Sequence, residues 1–184
     1  MLVNLRLMLG VIVDIILMRR GPEHLPASNA ILSIVVVLFI AVYVLATVAS
    51  GGAPKDWPLQ LLVSTVIALL WFRLALVLLK KRERYAQTMT AFFGTYTLFL
   101  PALVPLTAKV LPYLQKKAEV GTAPPSVLAI VFTILALWLL VVQVRIVHAA
   151  FEWPYFAAVL FIFGQGFVNL LVFVTLFGVP QSPG

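Results

Sequence analysis

The chain has 184 residues, of which 63% are hydrophobic and only 10% charged, and its mean hydropathy is +1.12. A soluble domain carries about 25% charged residues and could not cover such a core with polar surface, so lipid is the solvent that makes this composition viable. The net charge of +7 sits at the ends of apolar runs rather than in a polar domain, which points to topology and anionic lipid headgroups and away from nucleic acid. With no cysteine there can be no disulfide, thiolate nucleophile, iron–sulfur cluster or cysteine-ligated zinc.

The N-terminal stretch Met1–Met18 is apolar but interrupted by Asn4, Arg6, Gly10 and Asp14. Arg6, Gly10 and Asp14 follow i, i+4, i+8 and share a helical face. A central span would carry both charges at about 2.5–3.5 kcal/mol each, so the segment is expected as an in-plane or half-inserted interfacial helix packed partly under the bundle. No basic start and no small-x-small site mark it as a signal peptide.

Five runs then reach the roughly 20 residues needed to cross a membrane: Ala30–Ala49, Leu59–Leu79, Thr88–Leu111, Ser126–Val147 and Pro154–Gly178. Ser28 and Asn29 suit the start of the first, Ser50-Gly51-Gly52 its end, and Pro58 the first turn of the second. Pro101 and Pro105 should kink or break the third. Pro124-Pro125 and Pro154 open the fourth and fifth. The polar connectors Arg19–Asn29 and Tyr113–Pro125 read as loops. The expectation is an all-α polytopic transmembrane bundle in a single membrane domain covering residues 1–184.

Counting Lys and Arg on alternate sides gives Arg6, Arg19, Arg20, Lys80, Lys81, Arg82, Arg84 and Arg145 against Lys55, Lys109, Lys116 and Lys117. The positive-inside rule places the N-terminus in the cytoplasm and the C-terminus outside. Trp57 and Tyr113 at one interface, and Tyr85, Trp153 and Tyr155 at the other, suit aromatic belts.

Arg73 lies seven residues before Lys80, about 10 Å into the second span. Arg145, Asp14 and Glu152 fall at similar depth. The structural reading pairs Asp14 or Glu152 with Arg73 or Arg145, pinning the N-terminal helix. The functional reading is a lipid-headgroup or anionic-ligand pocket. In the fifth span Gln165 and Asn169 share a face beside Gly164 and Gly166, which predicts a close, hydrogen-bonded helix contact, with either span four, through Gln143 or Thr133, or a partner subunit as the neighbour. The alternative is a substrate-lining site. The third span gathers Thr88, Thr90, Gly94, Thr95 and Thr97 with its two prolines. One broken helix without a counterpart in a second half argues against a transporter. His24 and His148 alone do not specify a metal, and no catalytic set, phosphate loop or cofactor motif is present. The expectation is a non-enzymatic protein without cofactor.

Two segments carry a resemblance. Met18-Arg19-Arg20-Gly21-Pro22-Glu23-His24-Leu25-Pro26-Ala27-Ser28 precedes the first span, and Tyr85-Ala86-Gln87-Thr88-Met89-Thr90-Ala91-Phe92-Phe93-Gly94-Thr95 opens the third. This is similar to the small bacterial membrane proteins grouped with the Yip1 family, where an Arg-rich stretch with Leu-Pro-x-Ser precedes span one and Gln-Thr-x-Thr-Ala-x-x-Gly opens span three. The resemblance implies a five-span fold with a cytoplasmic N-terminus and external C-terminus. Eukaryotic members are trafficking scaffolds that bind small GTPases, but their long polar N-terminal region and Asp-Leu-Tyr-Gly-Pro motif are missing here. What remains is the expectation of a scaffold or accessory subunit of a bacterial inner-membrane assembly, acting through helix contacts with other subunits or with itself. The alternative is a small transporter, channel or lipid-handling protein.

Overall fold

The computed structural model describes residues 2–51, 56–120 and 126–178, with side chains for 6–51, 56–110 and 127–178. The expected features at Gly52, Lys55, Pro124 and Pro125, and at the side chains of Tyr113, Lys116 and Lys117, lie outside the described residues. Six α-helices follow one another: α1 Leu2–Ile16, α2 Asn29–Ala49, α3 Trp57–Leu78, α4 Tyr85–Val120, α5 Ser126–Phe151 and α6 Tyr155–Phe177. Short 3-10 turns at Pro22–His24 and Arg82–Arg84 join them, and the described residues contain no strand. α2 to α6 are each long and apolar enough to cross a membrane, making the chain an integral membrane helical bundle.

The helix ends follow local chemistry. The Ser28 side chain accepts the Ile31 amide at 3.4 Å and caps α2. Gly51 ends that helix at φ 67°. α3 closes in a Schellman arrangement: Lys80 takes the left-handed conformation at φ 57° and the Lys81 amide donates to the Leu76 carbonyl at 2.8 Å. α1 ends the same way around Met18, at φ 60°.

α4 is the hub. In its spanning window 56% of residues are buried, against 11–28% for the other four. α2 packs along one side of it and α5 along the other, while α3 meets its start and α6 bridges α3 and α5. Aromatic rings fill the centre. Phe72 is fully buried, with Phe92 at 4.9 Å, Phe161 at 5.1 Å and Phe151 at 6.0 Å between centroids.

One expectation is corrected here. Of the kink or break expected at Pro101 and Pro105 there is no break, and the helix absorbs most of the connector expected as a loop, running on to Val120. A membrane helix that frees a backbone group does better to stay helical than to expose more of them to lipid. The following residues Leu114-Gln115-Lys116-Lys117-Ala118-Glu119 are all good helix formers. At 36 residues α4 is about 54 Å long, well beyond a hydrocarbon core of about 30 Å.

The 15 residues of α1 span only about 22 Å, and the helix packs against α4 and α5. Ile12 and Ile15 are buried with Leu25, Ala91, Val142 and Ile146 in a second, smaller core. Gly94 permits this approach: a Cβ there would stand 2.8 Å from Ile12 Cδ1. Arg6, near the other end of α1, is exposed.

Candidate functional site

Halfway along the spanning helices, α2, α3, α4 and α6 leave a cavity of about 170 Å³ between them. Phe39 comes from α2, Ser64, Thr65 and Ala68 from α3, and Phe92, Phe93 and Tyr96 from α4. The remaining wall is Gln165 and Asn169 of α6, one turn apart. The amides of α6 therefore face protein, as their i, i+4 spacing predicted. The Thr65 hydroxyl is spent on its own helix, donating to the Leu61 carbonyl at 2.7 Å. Among the described residues Asn169 Oδ1 is buried with no hydrogen-bond partner. What the lining presents to the cavity is aromatic π faces, small side chains and two amide dipoles.

Of the neighbours expected for these amides, span four does not serve through Gln143 or Thr133. Gln143 is buried on the other side of α4, where its Nε2 donates to Thr95 Oγ1 at 2.8 Å. Thr133 is exposed and bonds back to the Ala129 carbonyl of its own helix. α5 thus uses its amide against α4, while α6 packs between α5 and α3. Gly164 makes room for a ring: its missing Cβ would lie 3.4 Å from the Trp71 indole of α3. Gly166 faces open space, with no atom within 4 Å of a Cβ position.

The ionic expectations also need revising. Glu152 pairs with Lys81 at 2.7 Å and Arg84 at 2.6 Å, and Asp14 with Arg20 at 3.2 Å. Among the described residues no carboxylate lies within ion-pair distance of Arg73 or Arg145. Chain geometry explains the exchange. The reversal at Met18 swings Arg20 back over Asp14, whose carbonyl also accepts the Arg19 amide at 2.8 Å. Glu152 stands beyond the end of α5, level with the α3–α4 connection and past the reach of Arg73.

Lys81 and Arg84 are the residues the sequence reading credited only with topology. Lys81 Nζ also donates to the Phe151 carbonyl at 2.9 Å, and Arg84 to the Ala150 carbonyl at 3.2 Å. Together they cap the C-terminus of α5, where carbonyls lack partners and the dipole favours cations. Their contacts with the Glu152 carboxylate, hydrogen bonds from Lys81 first and then Arg84, hold that carboxyl below its ordinary value. Glu152 adopts a left-handed φ of 59°, which such anchoring helps maintain. His148 donates to the Trp153 carbonyl and stacks on Tyr155, with centroids 4.0 Å apart, closing the turn into α6. Gln87 performs a parallel task, donating to the Leu25 carbonyl at 2.7 Å and fixing the Pro22–His24 turn to α4.

Arg73 is exposed on the outward side of α3. It borders an open groove of about 530 Å³ whose other walls are Ile67, Leu70, Trp71, Leu74 and Val77 of α3 and Val168 of α6. Among the described residues no three His, Cys, Asp or Glu side chains gather as metal ligands would. Comparison of the chain with protein-family models, with curated proteins and with solved structures yields no match.

Proposed function

We propose that the protein is a non-enzymatic scaffold or accessory subunit of a bacterial inner-membrane assembly, with its N-terminus cytoplasmic and its C-terminus external. The observation that carries this reading is the division of labour on α6. Its inner face, with Gln165 and Asn169, closes the midplane cavity. Its outer face presents Phe156, Leu160, Phe163, Phe167 and Leu171, all exposed, with the open notch of Gly166 at its edge. Large rings beside a residue without a side chain are the shape into which another transmembrane helix packs closely. α6 is also the least enclosed span, with 11% of its window buried. At about 170 Å³ the midplane cavity falls below the roughly 300–1,000 Å³ typical of ligand pockets, which favours contact over cargo.

Residues behind the Yip1-family resemblance fit such a role through architecture. Ser28 caps α2, Gln87 fastens the preceding turn and Gly94 admits α1.

The absence of cysteine makes the test direct. Phe163→Cys, Gly166→Cys and Phe167→Cys, introduced singly and oxidised in native membranes, should give crosslinked products containing a partner subunit or a second copy. Leu137→Cys, exposed on α5, should not. Crosslinking from Leu137→Cys alone, or from none of the four, would overturn the reading.

A further inference from the structure

We propose that the groove between α3 and α6 is a binding site for an anionic phospholipid, with Arg73 holding the phosphodiester and the acyl chain lying along Leu70, Leu74 and Val168. This does not depend on the scaffold reading; it rests only on insertion of the bundle in a membrane.

The argument begins with the cost of Arg73. The residue sits five positions before the last residue of α3, about 8 Å inside the helix end, on a surface otherwise made of leucine, isoleucine and valine. An arginine facing hydrocarbon is expensive unless it meets an anion or reaches water. Among the described residues no carboxylate lies within ion-pair distance of Arg73: Glu152 pairs with Lys81 and Arg84, and Asp14 with Arg20. The anion that a bilayer supplies at that depth is lipid phosphate, which a guanidinium binds through two parallel donors.

The groove supplies the second half of a lipid's recognition. At about 530 Å³ it is three times the midplane cavity and within the range of ligand sites, and apart from Arg73 and the Trp71 indole its walls are aliphatic. It extends from Ile67, about 16 Å inside the end of α3, up past Arg73 to Val77. A chain entering from the headgroup level would run in that direction. Lys80, just past the end of α3, adds a second positive charge at the same end of the bundle. Charge at the rim and aliphatic walls below match the two ends of one phospholipid molecule.

The test uses the full chain, purified in mild detergent, with phosphatidylglycerol and phosphatidylcholine as probes and bound lipid read by native mass spectrometry. One basic residue near a membrane surface contributes about fivefold in affinity for anionic lipid. The wild-type chain should therefore retain phosphatidylglycerol at least about fivefold better than phosphatidylcholine, and Arg73→Gln should bring that ratio close to one. Arg82→Gln, which removes a charge of the same end outside the groove, should leave the ratio unchanged. Leu74→Trp fills the groove and should weaken both lipids alike. Soluble glycerol phosphate at equal concentration should not displace bound phosphatidylglycerol. The proposal is overturned if Arg73→Gln keeps the wild-type preference, if Arg82→Gln lowers it as much, or if glycerol phosphate competes. Should Arg73→Gln fail to fold, wild-type lipid retention by Leu74→Trp overturns it equally.

Discussion

Gln143 offers a sharp test of how polar groups are handled inside this bundle, because two opposing terms meet at one side chain. It is 1% exposed, flanked by Val142 and Val144, and its Nε2 donates to Thr95 Oγ1 at 2.8 Å. The Thr95 hydroxyl passes its own proton to the Phe92 carbonyl at 2.9 Å. Gln143 Oε1, by contrast, is buried without a partner. Gln143→Leu removes an interhelical hydrogen bond worth about 0.6 kcal/mol on average. It also removes an unsatisfied acceptor whose burial costs about 1–3 kcal/mol. The second term wins, so Gln143→Leu should be neutral or stabilising by up to about 2 kcal/mol. Thr95→Val alone should destabilise by about 1–3 kcal/mol, since it takes away the nearer acceptor of the amide and leaves only the Phe92 carbonyl at 3.5 Å. In the Gln143→Leu background the same change should cost almost nothing, giving a coupling of similar size in a double-mutant cycle. Unfolding in detergent micelles, followed by tryptophan fluorescence, measures all four corners. If Gln143→Leu destabilises by more than about 2 kcal/mol, Oε1 is satisfied in the membrane and the reasoning fails.

Other consequences follow from the same packing. Phe72→Ala empties the aromatic centre and should cost about 3–5 kcal/mol in the same unfolding assay. Arg73→Leu should stay within about 0.5 kcal/mol of wild type, because it strands no carboxylate; a loss of several kcal/mol would reveal a buried partner. Glu152 is held below its ordinary value of 4.5 by Lys81 and Arg84, so the folded state binds its proton more weakly than the unfolded chain. That contribution is complete above the ordinary carboxylate value and is lost as pH falls through the folded one. Acid titration of detergent stability should therefore show a component absent from Glu152→Gln. A reporter fused after Gly184 should read as external and one inserted at Lys80–Arg84 as cytoplasmic; the opposite result would reverse the orientation.

The spans were legible because lipid imposes a length and a composition, and both are written in the chain. α3 and α6 lie within two residues of their expected bounds at each end, and Ser28, Pro58 and Pro154 stand where capping chemistry places them. Helix facing was far less legible. α3 and α5 are apolar all round, so nothing in their pattern says which side meets protein. Arg73 could be assigned a depth but not an azimuth, and its pairing with Asp14 or Glu152 failed on that account. Gln165 and Asn169 escaped the problem, since two amides on one stripe of an apolar helix define an inward face by themselves. The partner of that face was beyond reach, because nothing in the pattern of α5 says that Gln143 turns to Thr95 of α4. The extension of α4 to Val120 was missed for a different reason: polarity was read as loop where helix propensity should have been weighed.

The polar residues of this bundle divide by job in a way that ties the basic end to the midplane. Threonines at 65, 88, 97 and 107 all spend their hydroxyls on the carbonyl one turn back, so they contribute little between helices. Links between elements come from longer side chains: Gln143 joins α5 to α4, Gln87 joins the Pro22–His24 turn to α4, and Lys81 and Arg84 join the α3–α4 connection to the end of α5. The last of these fixes where α6 begins, because only Glu152, Trp153 and Pro154 separate Phe151 from Tyr155. α6 then carries that setting along its length to Gln165 and Asn169, about 15–20 Å away. A helix anchored at one end by two cations and held at its middle by Trp71 against Gly164 has little freedom to rotate. The clamp around Glu152 thereby sets which side of α6 turns inward to the cavity and which is left outward for a neighbour.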